Sequence, residues 1–400
     1  MITKVETVPI KLNEDYCGNC KICYSVCPFD AISLDTNNGG LNIDIEKCQV
    51  CGICNSACPT SAIEVAYYDY KSLIDYVENQ KKVLKTRDLV VMCRGTSPLS
   101  CEILELLKEQ NVSEFISLRL PCVGRLPVEF YFKAFTIGIN KIIVVQCEED
   151  FCRFVKGSEI NLHRILGSQV LLEQFGYRSD RLTIIKSSQK AEYDNDKCVG
   201  CDNCEYICPY DAIEVQSLAT PQINLEACNG CGICALVCPH LAIQLKGFEY
   251  ESISQAIHKY KPELKRLKEK GVSPVILVFC CRWAEFSALD NVMDGLVKDN
   301  AVLMEIPCFS ALDPCQIFEA LNTGFDGVMA IVCSEEDCKH NEGRDTAERN
   351  IQALKRALRN LNLADRFKVC INSPRYMGDF DSKLKSFVSK ISSLPEIDRG

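Results

Sequence analysis

The sequence predicts small α+β modules alternating with larger α/β domains, each built on a doubly wound parallel sheet, in an internal tandem duplication. Three observations predict it. Sixteen of the 28 cysteines fall into four runs of identical spacing, arranged as two pairs. Each pair is followed by short apolar stretches alternating with amphipathic ones, as strands and helices in turn would be written. A second, sparser set of cysteines recurs at matched places after each pair, so the repeat unit is half the chain and not one run.

In chain order, Cys17, Cys20, Cys23 and Cys27, with Pro28 after the fourth, follow a C-x2-C-x2-C-x3-C-P pattern, and Cys48, Cys51, Cys54 and Cys58, with Pro59, repeat it 31 residues later. Cys198, Cys201, Cys204 and Cys208, then Cys228, Cys231, Cys234 and Cys238, make the second pair. Three thiolates so spaced can wrap one corner of a cubane, while the fourth points toward a neighbouring cluster. The pattern resembles that of bacterial two-cluster ferredoxins and predicts ferredoxin-like modules with crossed ligand sets. One 4Fe-4S cluster would take Cys17, Cys20, Cys23 and Cys58, and its neighbour Cys48, Cys51, Cys54 and Cys27. In the second module the sets would be Cys198, Cys201, Cys204 with Cys238, and Cys228, Cys231, Cys234 with Cys208. Four 4Fe-4S clusters are expected in all.

Each fourth cysteine opens a hexapeptide that ends in Ala-Ile, at Ile32, Ile63, Ile213 and Ile243. Apolar-polar-apolar triplets such as Ile32-Ser33-Leu34 and Ile63-Glu64-Val65 follow from that isoleucine, and read as short strands with one buried face. That face would cover a cluster, where burial and hydrogen bonds to sulfur set the potential. Structural zinc requires neither the third cysteine of each run nor the proline. A disulfide framework is disfavoured in a chain that opens without an apolar secretion segment, since cytosolic thiols stay reduced.

Four hundred residues exceed one ordinary core, and composition is that of a globular protein, 47% hydrophobic and 25% charged. A formal charge of -9 argues against nucleic acid as a partner. The basic stretch Lys259 to Lys270 reads as a solvated helix face, with docking of an acidic redox partner as the alternative. Apolar runs such as 274–281 are far short of the ~18 residues of a membrane span. A cytoplasmic location is expected.

Beyond the modules the halves continue to match. Val90-Val-Met-Cys93 pairs with Leu277-Val-Phe-Cys280, Leu120-Pro-Cys122 with Ile306-Pro-Cys308, and Cys147 through Cys152 with Cys333 through Cys338. The connector from Cys238 to Cys280 holds 42 residues against 35 from Cys58 to Cys93, a difference that about two helical turns would absorb. Both connectors are amphipathic, through Leu73, Ile74, Val77 and Leu84 and through Ile253, Ile257, Leu264 and Leu267, with Pro262 a point of interruption. Buried parallel strands are expected at 89–92, 115–118, 142–145 and 182–185, and again at 275–279, 302–306, 328–332 and 367–371. Helices are expected between them, at 101–109, 127–136, 158–175 and 346–361, with one more after 384. This alternation reads as an open, flavodoxin-like sheet. The domains expected are 1–68, 69–190, 191–248 and 249–400, with polar 187–197 as the linker.

Cys93, Cys122, Cys147 and Cys152 fall at predicted strand ends, as do Cys280, Cys308, Cys333 and Cys338. Ligands gather at the carboxyl ends of parallel strands, and four thiolates suit a 2Fe-2S cluster or zinc. The plainer reading is cysteine as a small buried residue, and Cys101, Cys281, Cys315 and Cys370 fall under it as readily as under substitution for a ligand. The loops Cys122-Val-Gly124-Arg125 and Cys308 to Asp313-Pro314, and the C-x4-C segments followed by Gly157 and Gly343, resemble the delta subunit of methyl-viologen-reducing hydrogenase. The resemblance covers roughly 87–186 and 273–393. It departs where the family has a further cysteine, here Thr96 and Trp283, and where it has a histidine, here Arg153 and Lys339 with His340 one place late.

The resemblance implies a 2Fe-2S cluster in each larger domain, two in all. It also implies partners: a heterodisulfide-reductase-like flavoprotein of the electron-bifurcating kind, a hydrogenase or formate dehydrogenase type donor, and free ferredoxin. The chain would be an electron-transfer subunit relaying single electrons. No dinucleotide fingerprint or P-loop occurs, so neither flavin nor nicotinamide is expected in this chain. His163, His240, His258 and His340 form no catalytic constellation. Two alternatives stand beside the relay: a reductase with an open-site cluster acting on a small substrate, and a scaffold whose larger domains are metal-free docking modules.

Overall fold

The computed structural model describes residues 9–35, 40–66, 68–96, 101–215, 220–284, 297–298, 300–340, 343–375 and 380–397. Two compact units divide principally at Ser188 and Gln189.

The first unit opens with the cysteine module: β1 (Ile10–Leu12), α1 (Ile22–Val26), β2 (Ile32–Leu34), β3 (Leu41–Ile43), α2 (Ile53–Ala57) and β4 (Ile63–Val65). β1 pairs antiparallel with β4, and β2 with β3. The expected strands after Cys27 and Cys58 are therefore present, with Ile32 and Ile63 buried under them. α1 and α2 have five residues each, too few to persist alone, so packing around the cysteines must hold them. The backbone turns left-handed at one equivalent position in every run, with φ of 51° at Asn19, 50° at Val50, 63° at Gly200 and 60° at Gly230. A β-branched residue there, as at Val50, is strained, and such strain gathers where a loop must wrap a ligand.

α3 (Tyr70–Leu84) follows, capped by Asp69, whose carboxylate accepts from the Ser72 amide at 3.0 Å. It buries Leu73, Ile74 and Val77, but Leu84, expected on the same face, is 49% exposed because the helix ends there. Next come β5 (Asp88–Cys93), α4 (Cys101–Glu109), β6 (Ile116–Leu120), α5 (Val128–Thr136), β7 (Lys141–Gln146), α6 (Gly157–Gln174) and β8 (Leu182–Lys186). All four strands are parallel, in the order β6-β5-β7-β8. Alternation along β5 decides the layers: Leu89, Val91 and Cys93 pack on α3, α5 and α6, whereas Val90 and Met92 meet Ile103 and Leu107 of α4. Helices thus cover both faces. The chain leaves β5 for one side and then returns to the other, which makes the carboxyl ends of β5 and β7 a topological switch point.

In the second unit, β9 (Ala191–Tyr193), α7 (Asn203–Ile207), β10 (Ile213–Glu214), β11 (Gln222–Ile223), α8 (Ile233–Val237) and β12 (Ile243–Leu245) form a module of the same plan, β9 pairing with β12 and β10 with β11. The stretch expected to be a linker therefore contains a strand. Only three residues long, β9 is made by its distant partner and carries no periodicity of its own. α9 (Tyr250–Lys259) and α10 (Lys261–Glu269) make the longer connector, and Pro262 lies in the first turn of α10, where its missing N–H costs nothing. β13 (Ile276–Cys281), β14 (Val297–Lys298), β15 (Ala301–Ile306), α11 (Pro314–Thr323), β16 (Gly327–Cys333), α12 (Gly343–Asn360), β17 (Phe367–Asn372) and α13 (Phe380–Ser392) complete it. The sheet order is β14-β15-β13-β16-β17, parallel except for β14, a two-residue antiparallel edge strand too short to carry a pattern of its own. In the basic stretch, Lys268 is paired with Asp326 at 2.8 Å and Arg266 with Glu263 at 3.3 Å.

Candidate metal centres

The sixteen run cysteines stand where the short helices begin and end. In each run a left-handed residue, Lys21, Gly52, Asp202 or Gly232, starts the helix between the second and third cysteine. Backbone amides are aimed at the sulfurs: Val50 N–H donates to Cys48 Sγ at 3.4 Å, Ala62 to Cys58 at 3.2 Å, Ala212 to Cys208 at 3.4 Å and Ala242 to Cys238 at 3.2 Å. The thiols also influence one another, mostly within the expected sets but also across them, Cys204 adding to the rise of Cys234 and Cys308 to that of Cys231. Burial pushes Cys23 up, and Cys58, Cys20 and Cys17 add to it; burial pushes Cys51 up to about 12, with Cys48 and Cys27 adding. Cys204 is raised by burial, then by Cys238 and Cys198, and Cys234 by burial, then chiefly by Cys231, Cys228 and Cys208. Soft donors crowded until each opposes its neighbour's ionisation fit a polynuclear metal centre, whose positive charge would reverse that opposition. One set in each module is buried, whereas the other has Cys20 or Cys201 exposed.

The second set lies at the switch point. Cys93 ends β5 and Cys147 follows β7, with their sulfurs 3.5 Å apart. Cys122 makes sulfur contacts with both Cys93 and Cys152: the Cys122 bond holds Cys93 and Cys152 below the usual thiol range, while Cys152 and Cys93 push Cys122 up. Gly157 closes the group, since a Cβ on it would lie 2.3 Å from Cys122 Sγ and 3.4 Å from Cys152 Sγ.

In the second unit Cys281, not Cys280, completes the set with Cys308, Cys333 and Cys338. The strand register fixes this. Cys93 lies opposite Leu120, two residues before Cys122, and Cys281 lies opposite Ile306, two residues before Cys308; Cys280 aligns with Met92. Cys281 Sγ accepts from the Phe309 amide at 3.0 Å and is in hydrogen-bonding contact with Cys308 and Cys333. Neighbouring strand residues point to opposite faces, so Cys280 faces away from the group. The residue three places after the strand-end cysteine is consequently Ala284 in this unit, and not Trp283. Of the remaining cysteines, Cys370 is buried in β17, Cys315 is exposed on α11, and the Cys101 side chain lies outside the described residues.

Within the first unit the module and the α/β domain touch at the cysteines. Ile53, between Cys51 and Cys54, is fully buried and lies 3.8 Å from the position a Gly157 Cβ would take. Arg164 of α6 donates through Nη1 to Ser56 Oγ at 3.0 Å, Gly124 O at 2.7 Å and Leu126 O at 2.8 Å. Arg164→Ala is expected to cost about 2 kcal/mol by leaving Leu126 O without that donor and Gly124 O with Ser56 Oγ alone, and should lower the first thermal transition of the anaerobic protein by several degrees.

Sequence reasoning missed a difference between the two units. In the first, Tyr131 OH donates to Asn161 Oδ1 at 2.7 Å, Asn161 Nδ2 to Gln146 Oε1 at 2.7 Å, and Gln146 Nε2 to Ser158 O at 3.1 Å. Ile317, Ala347 and Val332 hold the same positions in the second unit. There a cavity of about 280 Å³ adjoins Cys281, Cys308, Cys333 and Cys338, walled by Phe309, Val332, Ala347 and Ile351, with Glu348 and Lys355 exposed along it. Counting positions from Gly157 and Gly343 would have revealed these substitutions.

Two segments, 9–69 and 189–245, match models described as 4Fe-4S dicluster domains, so the chain is an iron-sulfur protein with two such domains. No helix among the described residues is long and apolar enough to cross a membrane. Over 210 residues the chain is 29% identical to a component of the Ferredoxin/F(420)H(2)-dependent CoB-CoM heterodisulfide reductase of Methanosarcina acetivorans, covering 52% of this chain and 26% of the relative. Over 94 residues it is 31% identical to an iron-sulfur component of the F420-non-reducing hydrogenase of Archaeoglobus profundus, covering 22% of this chain and 67% of the relative. The match thus spans about a quarter of the length of the reductase component. Both α/β domains, at 89–197 and 276–395, match the model of the methyl-viologen-reducing hydrogenase delta subunit, which takes in more than half of the chain, and the chain belongs to that family.

Proposed function

We propose that the chain is an electron-transfer subunit that relays single electrons between a hydrogenase or formate dehydrogenase type donor and a heterodisulfide-reductase-like flavoprotein. Its halves are read as a tandem duplication, with domains at 1–68, 69–190, 191–248 and 249–400. One observation carries the reading: in the first unit Ile53, between Cys51 and Cys54 of the buried run, comes within 3.8 Å of the place of a Gly157 Cβ that would itself lie 2.3 Å from Cys122 Sγ and 3.4 Å from Cys152 Sγ of the strand-end set. In this reading the run cysteines hold four 4Fe-4S clusters in the crossed sets, and the strand-end cysteines hold two 2Fe-2S clusters, with Cys281 taking the place of Cys280. Such clusters supply one-electron chemistry. The chain's own residues do the rest. Amides donate hydrogen bonds to the sulfurs of Cys48, Cys58, Cys208 and Cys238, and buried Ile53 and Ile233 exclude water. The flavin step of bifurcation, and free ferredoxin as a further partner, belong to proteins outside this chain.

Iron and acid-labile sulfide are measured on the anaerobically purified chain, with electron paramagnetic resonance after reduction. Four cubanes and two binuclear clusters predict about 20 irons, with part of the binuclear signal lost in Cys147→Ser. About 16 irons without a binuclear signal would leave the larger domains as metal-free docking modules. The cavity beside Cys308 and Cys333 favours one second reading, an open-site cluster that reduces a small molecule. Turnover of small disulfides or other two-electron acceptors by the isolated, reduced chain would establish it.

A further inference from the structure

The two units differ in charge where the cysteine module meets the α/β domain. In the first, Arg94, Arg119, Arg125 and Arg164 gather there. Arg94 and Arg125 are 3% and 5% exposed, and lie over the Tyr68 ring at 5.7 and 5.1 Å. Arg125 is the innermost: a Cβ on Gly52, inside the Cys51–Cys54 turn, would lie 3.0 Å from its Cβ, 3.1 Å from Nε and 3.2 Å from Cζ. Gly52 is left-handed at φ 81°, as Lys21 and Asp202 are at the matched positions, so it is the closeness of Arg125 that favours glycine there.

The second unit keeps the frame and loses three of these four cations, while one cation stands elsewhere at its centre: Lys190, which matches Pro9 of the first unit, donates through Nζ to Cys228 O at 2.7 Å. Arg282 repeats Arg94: each donates its backbone N–H to the end of the adjacent strand, to Ile306 O at 2.9 Å and Leu120 O at 2.8 Å. Its guanidinium lies 4.9 Å from the centre of the Phe248 ring, which stands where Tyr68 stands in the first unit. Glu305 replaces Arg119, each lying opposite the residue before the strand-end cysteine, and forms a buried ion pair with Arg282 at 3.8 Å. Ala311 replaces Arg125, and its Cβ lies 2.7 Å from the position a Gly232 Cβ would take. Asn350 replaces Arg164. Four cationic positions thus become one cation, one anion and two neutral residues.

We infer that Arg125, supported by Arg94 and Arg119, is a potential-setting residue that makes the Cys27, Cys48, Cys51, Cys54 centre easier to reduce than its counterpart at Cys208, Cys228, Cys231 and Cys234. Reduction adds one negative charge to a centre, and a desolvated cation nearby stabilises the reduced form. When one external electron enters from a low-potential one-electron donor, which is oxidised by one electron, it favours the Cys27, Cys48, Cys51, Cys54 centre over that counterpart. The halves are therefore unequal, one accepting and one less so. The inference rests on the electron-transfer reading above, because it needs clusters at both centres.

The test is a redox titration of the full anaerobic chain followed by electron paramagnetic resonance, with iron measured on every sample. Arg125→Ala should lower one 4Fe-4S wave by at least tenfold in its reduction equilibrium, about 59 mV for one electron, and leave the others in place. Arg125→Lys should keep most of that wave's position, and Ala311→Arg should raise a different wave. Should Arg125→Ala lose iron, Ala311→Arg decides alone. Full iron with neither wave displaced, or a lysine variant displaced as far as the alanine one, overturns the inference and leaves the relay standing. Wild-type chain without 4Fe-4S iron overturns both.

Discussion

Cys281→Ser is expected to remove the proposed binuclear centre of the second unit, taking about two of the roughly 20 irons that the proposed clusters hold and its share of the binuclear resonance, whereas Cys280→Ser should retain both. The two residues are neighbours in β13 and chemically identical, so the contrast isolates direction. Cys281 Sγ accepts the Phe309 amide and meets Cys308 and Cys333 at the strand end; Cys280 Sγ lies 3.8 Å from Val278 O, on the other face. A serine at Cys280 buries a hydroxyl and should cost about 1–3 kcal/mol of stability without touching iron content. Iron analysis beside thermal unfolding separates the two outcomes. Loss of iron from Cys280→Ser with retention in Cys281→Ser would show the register to be wrong.

The same pair shows where the sequence was legible and where it was not. Cysteine spacing announces the modules because a polynuclear centre dictates local geometry, and the apolar runs announce the parallel strands because both their faces are buried. The facing of a residue within a strand is a different matter, since a displacement of one residue exchanges the two faces. Counting from the matched Val90-Val-Met-Cys93 and Leu277-Val-Phe-Cys280 put Cys280 at the site, one place too early. The Cys-Arg dipeptide held the correction: Arg94 and Arg282 each follow the strand-end cysteine and bond the adjacent strand. β1 and β9 were illegible for another reason. Three residues long, each is specified by β4 or β12, more than 50 residues distant, and not by its own pattern.

Gly157→Ala is expected to empty the strand-end site of the first unit, while Gly343→Ala in the second should be tolerated, although the two glycines occupy the same place at the start of α6 and α12. Helix propensity favours alanine at both by up to about 1 kcal/mol, so any loss must come from contact. At Gly157 the new Cβ would meet Cys122 Sγ at 2.3 Å, with Gly124 packed on the other side, where its own Cβ would lie 2.5 Å from Gly157 O. Neither backbone nor the sulfur of a proposed ligand can withdraw by an ångström without altering the proposed ligand set. At Gly343 the nearest atoms are His340 Cβ at 3.1 Å, Cys308 Sγ at 3.5 Å and Cys338 Sγ at 3.7 Å, and Ser310 stands where the first unit has Gly124. A shift of a few tenths of an ångström suffices, toward a cavity with room to receive it. Iron content and the binuclear resonance of each variant give the answer. Equal loss in both would mean that the glycine serves the loop conformation, and equal retention would mean that Cys122 does not sit against α6 in the metal-bound protein.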